Sequence, residues 1–147
     1  MQYQHTQKVP DNVMAIAAIA GLAMGLTPPG LLTRIFVMGT LGAVAYTFRS
    51  LTVEVDDNEI RLQFGENGPI RKVIPLADVT DVKTTRTNPL AGWGVHFIGS
   101  GWLYNIYGLE AVEVSREGGK KVLIGTDEPD KLASAISDRH IVVKTVD

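Results

Sequence analysis

Side chains able to do chemistry are sparse in this chain. Three histidines, His5, His96 and His140, are the places to seek a general acid or base near neutral pH. His5 and His140 stand near the two ends, away from the expected fold. His96 lies in an alternating run between Val95 and Phe97, on the face opposite Trp93, a setting that favours a satisfied or half-exposed ring over a ligand. Ser100 sits in the turn Gly99-Ser100-Gly101 with no base marked to activate it as a nucleophile. Asp78 and Asp81 share a face only if their segment turns helically, and hydrogen bonding in a loop is the simpler role. Asp56-Asp57-Asn58-Glu59 has the composition of a calcium loop but lacks its glycine and its roughly twelve-residue length. It reads as a hairpin turn. Gly92-Trp93-Gly94 and Gly99-Ser100-Gly101 lack the lysine and following helix of a phosphate loop. The chain holds no cysteine, which removes disulfides, thiolate metal sites and cysteine nucleophiles. The expectation is therefore no catalytic residue, no cofactor and no metal.

Aromatic residues offer a different chemistry, that of contact. Trp93, Phe97, Trp102, Tyr104 and Tyr107 fall within fifteen residues. Two readings stay open. Trp93, Val95 and Phe97 alternate onto one face, as do Trp102, Tyr104 and Ile106, which suits a core. Alternatively the region presents a ring to lipid headgroups or to a protein, because tryptophan and tyrosine favour interfaces. The candidate interaction surface is Arg86, Asn88, Trp93, Trp102, Tyr104 and Tyr107. The candidate lipid-headgroup contacts are Arg49, Arg71, Lys72 and Arg86.

The elements that must position these residues divide the chain sharply. Between Asn12 and Phe48 the only charged side chain is Arg34, and Thr27-Pro28-Pro29-Gly30 breaks the stretch in two. Neither half shows the polar face of a helix on a soluble core. The expectation is a transmembrane helical hairpin over residues 12–49, preceded by an N-terminal tail over 1–11. Each run falls slightly short of an average span, a deficit that bilayer thinning or outward reach by Arg34 can absorb. A cleaved signal peptide is a rival, with Lys8 as its basic region, but no small-residue cleavage site follows Leu26. A buried helical pair is another. Lys8, Arg49 and the amino terminus against Arg34 alone put both termini in the cytoplasm of a two-span bacterial inner-membrane protein. Ala17, Gly21 and Gly25, and then Gly39 and Ala43, are spaced by four, which suits packing within the hairpin or oligomer formation.

From Leu51 the pattern changes to alternation. Leu51, Val53 and Val55 share a face, as do Ile60, Leu62 and Phe64. Further runs at Arg71–Ile74, Val79–Thr85, Trp93–Ile98, Trp102–Tyr107, Ala111–Ser115 and Lys121–Ile124 bring the expectation to about seven short strands. Their close spacing argues for an antiparallel sandwich or barrel. Thr126-Asp127-Glu128-Pro129 marks the start of one closing helix, with Leu132, Ala135 and Ile136 at helical spacing. The domain covers 50–139, and 140–147 is a C-terminal tail. Residues 51–147 carry eleven basic and fifteen acidic side chains, a balance that excludes general nucleic-acid binding.

Strands followed by one helix, with Ile74-Pro75-Leu76-Ala77-Asp78-Val79-Thr80-Asp81-Val82 and Gly125-Thr126-Asp127-Glu128-Pro129-Asp130-Lys131-Leu132, resemble bacterial pleckstrin-homology-like domains. Two membrane helices ahead of such a domain are similar to small membrane-anchored proteins of that family. The resemblance implies a non-enzymatic, membrane-tethered scaffold that binds a protein partner or forms homo-oligomers. A lipid- or small-ligand-binding module is the alternative. In the wider family, phosphoinositide binders carry basic residues at the first strand turn. Here Asp56-Asp57-Asn58-Glu59 occupies it, and like charge would repel a phosphorylated headgroup.

Overall fold

The computed structural model describes residues 3–146. Two sheets face each other across one apolar core. The first contains β1 (Tyr3–Lys8), β2 (Ser50–Val55), β3 (Glu59–Phe64) and β4 (Arg71–Pro75) in that order, all antiparallel. Alternation explains its inner face: Leu51, Val53, Val55, Ile60, Leu62 and Phe64 are all exposed by 3% or less. The second sheet contains β5 (Val79–Arg86), β6 (Gly94–Phe97), β7 (Gly101–Asn105), β8 (Glu110–Arg116) and β9 (Lys121–Gly125), in the order β5-β8-β9-β7-β6. A closing helix, α3 (Pro129–Val146), lays Leu132 and Ile136 into the same core. Thr126 Oγ1 accepts from the Glu128 backbone N–H just ahead of it.

Several expectations need correction. The described residues form nine strands, not about seven: each of the eight alternating runs contains one, and the supposed N-terminal tail adds β1. The arrangement is not wholly antiparallel either, since β7 and β9 run parallel. Two glycines let these strands meet. A side chain at Gly101 would place its Cβ 1.9 Å from the Lys121 carbonyl oxygen, and one at Gly125 would lie 2.2 Å from Asn105 Oδ1. The expected C-terminal tail is also partly helical, since α3 continues to Val146.

The largest correction concerns the helical pair α1 (Asp11–Leu26) and α2 (Leu31–Thr47). They contain 16 and 17 residues, about 24–26 Å at 1.5 Å per residue. No helix among the described residues is long and apolar enough to cross a membrane. The two-span transmembrane hairpin is therefore withdrawn, and with it the inner-membrane placement with both termini in the cytoplasm. The pair is an excursion within the β1–β2 connection. Lys8 pairs with Ser50, and the Val9 N–H donates to the Arg49 carbonyl at 2.9 Å, so both legs leave one sheet side by side.

Candidate functional site

Three surfaces carry the residues with possible roles. The first is the helical pair. Its two helices meet where Gly25 is buried against Met38; a Cβ there would come within 2.0 Å of the Met38 sulfur. Gly25, with half-buried Gly21 near Leu41, thus serves packing inside the hairpin, whereas Ala17 is exposed. Gly39 has open space around it, and with Phe36, Ala43, Val44 and Ile70 it lines an apolar groove of about 560 Å³ beside α2. Around the remaining circumference Ile16, Ile19, Leu22, Leu31, Leu32, Ile35 and Phe36 are all at least half exposed. At the tip, Arg34 Nε donates to the Pro28 carbonyl at 3.0 Å. At the base, the Arg49 guanidinium lies 5.3 Å from the Tyr46 ring centroid and pairs with Glu66 at 2.8 Å.

The aromatic segment gives a divided answer to the core-or-interface question. Tyr104 is buried and faces Phe64, with ring centroids 6.3 Å apart. Burial pushes its phenol pKa upward, opposed by the nearby Arg116 charge. Trp93 and Trp102 are exposed, Trp93 against half-buried Tyr107 and Trp102 edge-on to Phe97 at 5.7 Å. Trp102 and Tyr104 share a strand face, but Trp102 stands at the strand's start, where the covering sheet no longer shields it. The proposed surface therefore does not form one patch. Arg86 pairs with Glu110 at 3.1 Å, and Asn88 Oδ1 accepts from the Leu90 N–H to cap the short turn Pro89–Ala91. Of the headgroup candidates, Arg49 is held by Glu66, Arg71 is exposed on the edge strand β4, and half-buried Lys72 enters a separate cleft.

All three histidines have structural partners. His5, in β1, lies 2.6 Å from Asp127 and 3.5 Å from Glu128, tying the first strand to the start of α3. His96 Nε2 is in hydrogen-bonding contact with the Trp93 carbonyl. His140 Nδ1 lies 3.4 Å from the Leu76 carbonyl oxygen. Asp78 receives Arg116 at 2.7 Å, and Asp56 Oδ1 accepts the backbone N–H groups of Asn58 and Glu59. Those two hydrogen bonds, aided by Arg61, hold the Asp56 carboxyl below its usual range. The acidic turn thus behaves as a closed hairpin turn.

The third surface is the cleft that Lys72 enters. It occupies about 420 Å³ and is lined by Phe97, Trp102, Arg116, Lys120 and Lys121 together with the glycine turns Gly99–Gly101 and Gly119. Arg116, Lys120 and Lys121 were not singled out from the sequence. They lie at the ends of β8 and β9 and in the turn between them, and only the parallel β7–β9 pairing brings them beside Trp102. No protein-family profile matches the chain, and no curated protein matches it either.

Proposed function

We propose that the protein is a non-enzymatic interaction module held at a lipid surface by its helical pair, which enters the apolar layer from one side and does not emerge on the other. The observation that carries this reading is the lack of any polar face on α1 or α2 while large apolar side chains stand exposed around both. A protein partner covers one stripe of a helix and would leave the rest in water. Lipid chains cover every side. At about 25 cal/mol per Å² of apolar area, exposing such a surface to water is costly, whereas lipid removes the cost without a complementary shape. Tyr46 and Arg49 at the base match the aromatic and cationic residues that settle at headgroup level.

The sandwich then stands at that surface as the binding part. Its strand β6 is a sheet edge carrying exposed Phe97, with Trp93 just before it, a combination suited to adding an extended segment of a protein partner. Tethering raises the effective concentration of a weak binder without new contacts.

Flotation with phosphatidylcholine vesicles tests the attachment. The full chain should rise with the vesicles, and a variant combining Ile19→Ser, Leu22→Ser, Ile35→Ser and Phe36→Ser should stay below with its sandwich signal in near-ultraviolet circular dichroism intact. A wild-type chain that remains below overturns the reading. The absence of cysteine makes a second arm simple. A Pro29→Cys tip should resist an impermeant maleimide on either side of sealed vesicles. Labelling by reagent trapped inside would overturn one-sided entry.

A further inference from the structure

We infer that the cleft between β4, β7 and β9 is a binding site for a phosphate monoester carried on a flat or apolar body. Four cationic side chains line it: Lys72 from the first sheet, Arg116 and Lys121 from the second, and Lys120 from the turn between β8 and β9. Among the described residues no carboxylate lines it. Two acids lie behind these cations. Asp78 takes a terminal nitrogen of Arg116 at 2.7 Å, and Glu113 takes Lys121 at 2.9 Å while also meeting Lys83 at 3.2 Å. These hold Arg116 and Lys121 in place and neutralise part of their charge. No ion pair engages Lys72 or Lys120 among the described residues, so the cleft keeps a cationic surplus in a chain of net charge −2.

The surplus matches the charge of a phosphate monoester, whose second ionisation falls at about pH 6. Arg116 adds a further reason. Its Nε is buried and has no hydrogen-bond acceptor among the described residues, an arrangement that costs free energy. Guanidinium donors suit phosphate oxygens in particular. The cleft's other wall is aromatic. Trp102 is 48% exposed and braced edge-on by Phe97, which leaves indole surface for a ring or an acyl chain to cover. The Gly99–Gly101 turn keeps the entrance free of side-chain bulk except for Ser100.

Two sources could supply this chemistry, a soluble phosphate ester or the headgroup of an anionic lipid. One experiment tests the site and separates them. In the full-length Trp93→Phe chain, Trp102 is the sole tryptophan and its emission reports on the cleft. Phenyl phosphate should shift that emission saturably, and phenol should not. The double variant Lys72→Ala/Lys120→Ala, with its unfolding midpoint unchanged, should weaken the response about tenfold, and added salt should weaken it further. A parallel arm compares phosphatidylcholine vesicles with and without phosphatidate. A lysine-dependent response to phosphatidate alone assigns the site to lipid headgroups, and one to phenyl phosphate assigns it to soluble esters. No saturable response to either probe, or an equal response in the double variant, overturns the proposal. Vesicle attachment through the helical pair does not depend on these lysines, so its failure and the failure of this site are separately visible.

Discussion

The helical pair and the sandwich use the same residue types to opposite ends. In the sandwich, Phe64 and Leu62 are sealed between sheets, with Phe48 meeting Phe64 edge-on at 5.2 Å where the two regions join. In the pair, Phe36 and Leu32 are 74% and 83% exposed. The sandwich satisfies its apolar surface internally because its strands alternate, giving each sheet one face for the core and one for water. The helices do not alternate and have no second face to offer. Their mutual contact, built on Gly25 and Met38, covers a seam only. Apolar content alone therefore does not locate a core. Its periodicity decides whether the chain can hide it unaided.

This contrast can be broken most forcefully by matched truncations. Phe64→Ala should cost about 3–5 kcal/mol in denaturant unfolding without lipid, from lost burial plus the cavity left behind. The same change at Phe36 should move stability by no more than about 0.5 kcal/mol. Equal costs would mean that the helical pair is packed against something in the isolated chain. Next in size is Gly101→Ala, whose methyl would meet the Lys121 carbonyl oxygen and force the parallel strands apart. A loss of about 2–3 kcal/mol is expected, together with loss of the Trp102 response described above. An unchanged unfolding midpoint would show that β7 and β9 do not approach so closely.

The smallest effect concerns pH. Hydrogen bonds and charge from Lys121 and Lys83 hold the Glu113 carboxyl below its usual value. A depressed folded pKa means the carboxylate contributes stability above the unfolded value of about 4.3, lost as pH falls through the folded one. Glu113→Gln should flatten that acid-side decline and leave stability above it slightly reduced. An acid limb identical to wild type would remove Glu113 from the account. Apart from Asp11 at the start of α1, the helical pair holds no acidic side chain.

Much of the sandwich was legible because alternation is a local property. The runs at Leu51–Val55 and Ile60–Phe64 declared both their conformation and their buried face. The cap at Thr126 and the buried spacing of Leu132 and Ile136 were equally local. The helical pair was legible as two apolar helices broken at Pro28-Pro29, but not in its relation to a bilayer, since the helices end at 16 and 17 residues. The aromatic cluster was only half legible. Tyr104 and Trp102 share a strand face, and nothing near them in the chain says where the covering sheet stops.

By itself, then, the order of residues determined the two helices before Phe48, the alternating runs from Leu51 onward and which side of β2 and β3 is greasy. It determined too that no thiol chemistry is available. Only the tertiary structure decided that Tyr3–Lys8 joins a sheet, because its partner lies across the whole helical excursion: Thr6 and Thr52, 46 positions apart, share a 2.9 Å hydroxyl contact. Only the tertiary structure placed β9 parallel to β7 and so gathered Lys72, Arg116, Lys120 and Lys121 around Trp102. The reason is physical. Conformation follows from neighbours along the chain, whereas pairing is won by whichever distant edge satisfies the backbone after the entropy of closing the loop has been met.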